Sequence, residues 1–412
     1  MKRNLLNQMK KEWRDNVWLV IELAVVCLAI WGLSVIVYVQ GKGLLAPRGF
    51  NPENVYSISL KTVSSGSPNY IDLGENADAA YRSDFLELLR RLRENPNVEA
   101  VATHWGAIPY NYNYDGRQLA LIDGQDSILY FGNTRYGSPD IVNVLQLNSL
   151  TGKSRKDLYE MLQRGELLIW NNPTYEESGR NPRDLIGKKV ILGGDTSRVY
   201  RVGDVIEQVR RTDYELSWGG GFMVPLVGGD ESWGSVAVRV KPGKGMQFKE
   251  DFKSNADLRK LRNVYFSDLK SLTDIRESCQ RSVEVDIRMK IIIMIFLVLT
   301  IFLGLLGSFW FRIQQRISEI AIRKVCGAKR REIFARIITE GLILLFGAIV
   351  VVGCIVWPFI GTFENMLFEK WTIFLAAEAF TVLLVAIGII ISLWYPARKA
   401  MQIEPAVAIK AE

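Results

Sequence analysis

The chain has 412 residues, of which 49% are hydrophobic and 23% charged, and its formal net charge is +7. A chain can be this hydrophobic and this highly charged at once only if its apolar residues are gathered into blocks. Such blocks exclude a wholly soluble enzyme. Four apolar runs of 21 to 23 residues are each long enough to cross a bilayer. These runs are residues 17–39, 291–311, 337–359 and 373–395. They amount to 90 residues, which also excludes a mostly intramembrane carrier.

The charge distribution predicts the topology. Residues 41–288 are neutral, with 33 basic and 33 acidic side chains, so the basic surplus lies next to the membrane. The segments that carry this surplus are residues 1–16, 312–336 and 396–412. Because cytoplasmic segments collect Lys and Arg, both termini and 312–336 are predicted to be cytoplasmic, with 40–290 and the loop 360–372 outside. The surplus makes membrane lipid a secondary partner and disfavours nucleic acid as a ligand.

The large outside domain is predicted to be α+β, with a β-rich insertion. Its ends each carry a strand–helix–strand pattern. The predicted strands are 55–60, 98–103, 235–240 and 264–266, and the predicted helices are 84–94 and about 248–261. Residues 105–230 are rich in Gly, Asn, aromatic residues and short apolar runs, which predicts a mainly β subdomain. A last helix is predicted to run from about residue 269 towards the membrane.

No catalytic, cofactor or metal site is predicted. The nearest approach to a phosphate-binding loop, Gly152-Lys153-Ser154, has Leu147 where that motif needs glycine. One histidine and four cysteines, three of them in or beside the membrane runs, cannot supply a zinc site of His and Cys ligands. The single histidine, His104, is interpreted as structural. The chain is therefore predicted not to be an enzyme.

Three of the membrane runs contain one carboxylate each: Glu22, Glu340 and Glu378. Ionisable side chains inside a bilayer are costly and normally face another helix or water. Arg336 lies one helical turn before Glu340, where the two side chains can meet. The favoured interpretation is interfacial pairing that fixes helix packing, and a proton or substrate relay is the alternative.

The segment between the second and third runs predicts a helical elbow. An apolar stripe at helical spacing continues from the second run into the cytoplasm. Its members are Ile313, Ile317, Ile320, Ala321 and Val325. Gly327 is suited to the left-handed position that ends a helix, and a new helix begins at about Lys329. The alternative is an ordinary basic loop that anchors two helices.

Residues 319–328, EIAIRKVCGA, closely resemble the E-I-A/G-I/L-R/L-R/K-x-x-G-A signature of FtsX-like permeases, the MacB type of ABC transporter. Glu340 is similar to a glutamate common at that position in the family, and the tail 395–409 resembles the family's ending. Weaker similarity lies in 185–189 and 200–205, where Asp204 departs from the usual apolar residue.

The resemblance implies an integral membrane protein with four transmembrane helices that works as a dimer with a second permease subunit. The outside domain is implied to contain a porter part, about 41–104 and 231–290, interrupted by a sabre part at about 105–230. The elbow is implied to dock on a separate ABC ATPase. The residues to which this coupling role is carried over are Glu319, Ile320, Arg323, Lys324, Gly327 and Ala328.

The implied function is that of a permease subunit, in the inner membrane of a bacterium, that expels amphiphiles such as peptides or antibiotics. Alternatives within the family are a lipoprotein-release permease and a regulator of cell-wall hydrolases. From another class, a membrane-anchored receptor would need a cytoplasmic output domain, and the longest predicted cytoplasmic segment has about 25 residues. The sequence leaves open the substrate, the identity of the second subunit, and whether a periplasmic adaptor and outer-membrane channel take part.

Overall fold

The computed structural model describes residues 13–111, 115–122, 130–170, 181–214, 220–227, 234–359 and 370–402. Most of the predicted segments 1–16, 360–372 and 396–412 lies outside the described residues. The chain divides into two compact units. The helical unit comprises residues 1–41 and 283–412, and the sheet unit comprises residues 42–282.

Ten α-helices and eleven strands lie in the described ranges. The helices are α1 (Trp13–Leu45), α2 (Ala77–Glu94), α3 (Ile141–Leu145), α4 (Arg155–Gln163), α5 (Gly245–Ser254), α6 (Ala256–Arg259), α7 (Leu272–Gln315), α8 (Ile317–Val325), α9 (Arg330–Val356) and α10 (Lys370–Gln402). The strands are β1 (Val55–Thr62), β2 (Val98–Trp105), β3 (Gly116–Leu121), β4 (Tyr130–Gly137), β5 (Leu167–Trp170), β6 (Lys189–Leu192), β7 (Asp195–Ile206), β8 (Gly220–Pro225), β9 (Ser235–Val240), β10 (Lys260–Leu261) and β11 (Val264–Ser271).

The helical unit is built from α1, α7, α9 and α10, the four helices of the described chain that are long and apolar enough to cross a membrane. This confirms the prediction of four membrane helices. Buried apolar side chains from all four share one core, among them Ile30, Ile301, Leu344 and Ile389. Large apolar side chains on the outer faces of the same helices are exposed, as expected for helices surrounded by lipid.

One half of the sheet unit has two interleaved strand–helix–strand patterns. The antiparallel order β11-β1-β9-β2 places α2 between β1 and β2 in sequence, and α5 and α6 between β9 and β11. This is the split arrangement of ferredoxin-like folds. In α2, Phe85, Leu88, Leu89 and Leu92 recur at helical spacing and are all buried against the sheet in one core with Phe248.

The other half of the sheet unit is a closed barrel. Strands β4, β3, β6, β7, β5 and β8 pair in that order, and β8 returns to pair with β4 in parallel. Leu119, Ile169, Val190 and Phe222 belong to one buried cluster contributed by its strands, so these strands enclose packed side chains. The boundaries proposed for the porter and sabre parts stay a prediction.

Gly221 is required in the barrel wall because it stands opposite Trp170 on the neighbouring strand. A Cβ at this glycine would lie 1.9 Å from the Trp170 ring, well inside contact distance. The absence of a side chain makes room for the indole beside the β8 backbone, and the Arg135 guanidinium lies over the indole ring at 5.4 Å from its centre. The tryptophan is thereby buried in the core between the barrel and helices α3 and α4.

Candidate functional site

The predicted elbow is formed by α8 and the turn that joins it to α9. The sequence predicts that the second membrane helix continues unbroken into this segment, but α7 ends at Gln315. Arg316 has a non-helical backbone (φ −108°, ψ 18°), and α8 begins at Ile317. The break at Arg316 makes α8 a separate short helix and not the unbroken extension of a membrane helix.

Gly327 ends α8 in the conformation that the sequence predicts. Its φ is +93°, in the left-handed region that favours glycine. The Ala328 N–H donates to the Arg323 carbonyl at 3.0 Å, and the Gly327 N–H donates to the Lys324 carbonyl at 3.0 Å. These two bonds form a Schellman motif, which satisfies carbonyls that a helix end otherwise leaves unpaired. α9 then begins at once, with Glu332 accepting from the Lys329 N–H at 3.3 Å.

The apolar residues of α8 differ in their exposure, and Ile317, at its start, is half-buried. Ile320 and Ala321 are buried in the helical unit, as their place in the predicted stripe requires. Val325, predicted to belong to the same stripe, is 65% exposed, and Ile322 is 55% exposed. Val325 is the last residue of α8, where the chain turns away and no further helical turn covers it. The elbow therefore presents an exposed apolar pair, Ile322 and Val325, beside its basic residues.

The charged residues of the elbow are held by partners within the helical unit. Arg323 donates from Nε to Glu319 Oε1 at 3.0 Å, a pair one helical turn apart on α8. Lys324 Nζ donates to the Met401 carbonyl in the last turn of α10 at 2.8 Å. An open cleft of about 320 Å³ lies where α8 meets α9. Its lining residues are Arg323, Cys326, Gly327, Ala328, Glu332, Ile333 and Arg336.

All six predicted coupling residues thus lie on α8 or in the turn that follows it, and three of them line the cleft. Sequence reasoning missed the part played by Met401, because its contribution is a backbone carbonyl. It also missed Cys326, which sits in the signature at a position that accepts any residue, yet its side chain is exposed at the mouth of the cleft. The exposure of Ile322 could have been found, since it lies off the predicted apolar stripe.

The three intramembrane carboxylates have different surroundings. Glu340 is buried on α9 and accepts from Arg316 Nη1 at 3.3 and 3.4 Å. Sequence spacing indicates Arg336 as its partner; the charges of Arg336 and Glu340 do interact, and Arg316, the residue before α8, is a further partner. Glu378 is half-buried, and Glu22 is exposed on α1 with Oε1 3.2 Å from the point where a Cβ on Gly304 would lie. The arrangement at Glu340 fits interfacial pairing between helices.

His104 lies far along the sequence from the elbow, at the end of β2. It is buried, and neither ring nitrogen has a hydrogen-bond partner among the described residues. Burial lowers the pKa of His104 from 6.5 to about 4, because a charged imidazolium there would lose its hydration. The side chain is neutral at pH 7 and fills space in the sheet unit.

Acidification should destabilise the sheet unit through this histidine. Between pH 6.5 and pH 4 the unfolded chain binds a proton that the folded chain does not, so stability falls as the pH is lowered through this window. The loss should reach about 3 kcal/mol near pH 4. Thermal unfolding of wild type and His104→Leu at pH 7 and pH 4.5 would measure it, with the variant losing less stability on acidification. An equal loss in both proteins would contradict the assignment.

Comparison with known proteins bears on the helical unit directly. Residues 291–405 match the family described as FtsX-like permease C-terminal. No curated protein sequence matches the chain. Among solved structures, the periplasmic region of MacB from Actinobacillus actinomycetemcomitans aligns with 13% identity and a TM-score of 0.33, over 58% of this chain and 98% of that one.

The extracellular domain of the noncanonic ABC-type transporter YknZ from Gram-positive bacteria aligns with 12% identity and a TM-score of 0.30, over 52% of this chain and 100% of that one. The family match spans α7 from residue 291, the elbow, α9 and α10, which are the elements on which the sequence resemblance rests. The chain therefore carries an FtsX-like permease C-terminal domain.

Proposed function

We propose that this chain is the permease subunit of a MacB-like ABC transporter, and that its elbow docks on a separate ATPase. The observation that carries the proposal is the elbow within the FtsX-like domain, where two exposed apolar side chains stand beside a cleft lined by arginines. Exposed apolar side chains rimmed by charge are typical of a surface that a partner protein covers. No phosphate-binding loop occurs in the 412 residues, so the proposal assigns ATP hydrolysis to a partner protein.

The contacts of α8 provide a route from this surface to the membrane helices. Ile320 packs into the shared helical core, Lys324 donates a hydrogen bond to the end of α10, and Arg316, the residue before α8, pairs with Glu340 on α9. A displacement of α8 would therefore shift α9 and α10 together. ATP-driven closure of the motor is proposed to act through this route on the domain between α1 and α7.

The proposed substrates are amphiphiles such as peptides or antibiotics, expelled on the outer side of a bacterial inner membrane. The proposed assembly is a dimer with an identical or similar permease subunit, to which a periplasmic adaptor and an outer-membrane channel are possible additions. Lipoprotein release and regulation of cell-wall hydrolases stay as alternatives with the same elbow. The helical unit offers no output domain of the kind a receptor needs within its described residues.

Purification of the tagged chain from its native membrane in mild detergent tests the proposal. A stoichiometric ABC ATPase should accompany the wild type, and Arg323→Glu should reduce its recovery at least about tenfold, because the new carboxylate faces Glu319 and reverses the charge of the cleft. Arg398→Glu is the matched control: it makes the same charge change at an exposed residue of α10 that does not line the cleft, and recovery should hold.

The outcomes separate the possible readings. A co-purified periplasmic adaptor would favour efflux over lipoprotein release. Wild-type recovery of the ATPase with Arg323→Glu would show that the cleft is not the contact. Absence of any ATPase under conditions that preserve known transporter complexes would overturn the proposed function.

A further inference from the structure

A buried polar cluster lies where the chain leaves α1 and enters α7. Three segments of the sheet unit meet there: the residues that end and follow α1, the segment 208–214 that follows β7, and the first turns of α7. α1 and α7 are the two helices through which the chain passes between its units. A contact among these three segments therefore governs how the barrel is attached to both helices.

Asp213 is the centre of the cluster. Its side chain is 2% exposed, and its carboxylate accepts from Tyr110 Oη at 2.9 Å and from Arg276 Nε on α7 at 2.6 Å. Arg48, just after α1, approaches the same carboxylate with Nε at 3.2 Å. One buried carboxylate thus joins a residue from each helix-proximal segment.

Arg210 completes the attachment of α1. Its guanidinium donates from Nη1 to the Gly43 carbonyl at 2.6 Å and to the Ala46 carbonyl at 3.0 Å, and from Nη2 to the Asp213 carbonyl at 2.8 Å. The last carbonyls of a helix have no partner within the helix and form the negative end of its dipole. A buried cation there is favourable both as a hydrogen-bond donor and as a positive charge. The backbones of α1 and of the segment 208–214 also pack closely here, since a Cβ on Gly43 would lie 2.7 Å from the Tyr214 carbonyl oxygen.

The charge state of the cluster is fixed under ordinary conditions. Burial alone would raise the pKa of the Asp213 carboxyl, but the hydrogen bonds that it accepts and the Arg48 charge hold that pKa below its ordinary value. Beneath the polar groups lies apolar packing from the same three segments, with Phe50, Val209 and Leu272 in one core. The polar contacts and the apolar packing therefore connect the same three segments, which include the ends of α1 and α7.

We propose that the Asp213–Arg210 cluster is a clamp that makes the end of α1, the segment 208–214 and the first turns of α7 move as one body. Displacement of either helix would then be delivered to β7 of the barrel and not absorbed by the linker that follows α1. The clamp is a property of the sheet unit alone. Its use in transmitting ATP-driven motion rests on the proposed function.

Hydrogen exchange of the full chain in detergent, followed by mass spectrometry, tests the clamp. Asp213→Asn should raise the exchange rates of peptides covering 43–54 and 272–280 at least about tenfold, because the amide cannot hold two guanidinium groups. Asp204→Asn is the matched control. Asp204 is also fully buried, and it accepts hydrogen bonds from Ser149 Oγ at 2.5 Å and Thr151 Oγ1 at 2.7 Å, which belong to neither α1 nor α7. Its substitution should leave those peptides within about twofold of wild type.

Arg276→Gln is a second variant. It keeps the buried Asp213 carboxylate and removes the guanidinium that α7 contributes. It should loosen 272–280 more than 43–54. Unchanged exchange in both segments for either variant would overturn the clamp, and so would a uniform rise across all strands of the sheet unit, which would indicate general destabilisation.

A third measurement adds the co-purified ATPase and a non-hydrolysable ATP analogue. In wild type and Asp204→Asn the analogue should change exchange at the helix ends and in β7, whereas in Asp213→Asn the change in β7 should be lost. A retained change in β7 would overturn the transmission role. If no ATPase accompanies the chain, the proposed function fails while the first two variants still decide the clamp.

Discussion

Replacing Arg239 with methionine should lower the free energy of unfolding of the sheet unit by about 1–3 kcal/mol for each buried carbonyl that it leaves without a donor. Arg239 lies on β9 and is buried, and its guanidinium donates to three backbone carbonyls: Val144 at 2.7 Å, Glu53 at 2.9 Å and Asn51 at 2.7 Å. Burial lowers the pKa of this arginine, which shows the cost of keeping it charged there. Methionine fills much of the space but removes the donors from the buried Val144 carbonyl and from the part-buried Glu53 and Asn51 carbonyls.

The stability change can be read from the exchange of the slowest amides of β1, β9 and β2, which open only with the unit. Arg90→Met is the matched control, since Arg90 is an exposed α2 residue paired with Glu87 and Glu94. Surface pairs of this kind contribute about 0.3–0.5 kcal/mol each. A loss for Arg239→Met no larger than for Arg90→Met would mean that water replaces the three donors.

Strand positions were predicted best where short apolar runs are closed by polar residues, turn residues or glycine. The predicted strand 235–240 coincides with β9, and two of the short apolar runs in the predicted β subdomain, 167–170 and 189–192, coincide with β5 and β6. These runs bury side chains on one or both faces, so apolar residues stand next to one another along the sequence. The sequence could not reveal how these strands pair, because the parallel β4–β8 contact that closes the barrel joins strands separated by three others along the chain.

Two helices differ from their predicted bounds because residue preferences competed with apolar periodicity. The helix predicted at 248–261 is divided at Asn255, whose backbone is extended (φ −91°, ψ 104°) and whose side chain accepts from the Asp257 N–H. Asparagine favours such a cap over a place inside a helix, and this outweighed the apolar periodicity. Conversely, α2 begins at Ala77 and not at 84, because its first turns carry good helix formers but few apolar residues.

In the candidate site too, features set by neighbouring residues could be predicted, and contacts between distant residues could not. The conformation of Gly327 follows from its own residue type and its neighbours, so the sequence predicts it. The Arg316–Glu340 and Lys324–Met401 contacts join residues 24 and 77 positions apart and depend on how α8 is oriented after the break. A helical pattern specifies which face is apolar but not which neighbouring helix that face meets.

Gly327→Val should abolish coupling to the ATPase while leaving the sheet unit folded. A left-handed backbone costs a side-chain-bearing residue about 1–2 kcal/mol, and a β-branched side chain is among the least suited to it. The Schellman bonds of Ala328 and Gly327 would then be lost, and α8 would no longer return to α9 at its present angle. The measurements are recovery of the ATPase and the ratio of its activity with and without the permease, which we expect to fall to about one, a full loss of coupling.

Two further variants separate the backbone effect from bulk. A Cβ on Gly353 in α9, like one on Gly327, meets nothing within 4 Å, but Gly353 lacks a positive φ, so Gly353→Val makes the same change without backbone strain and should keep coupling. Gly327→Asn adds comparable bulk, but asparagine tolerates the left-handed region, so it should keep at least about half of the coupling. Equal losses for asparagine and valine would assign the effect to bulk at the contact. Wild-type coupling in Gly327→Val would mean that the motor engages the permease elsewhere than through the turn after α8.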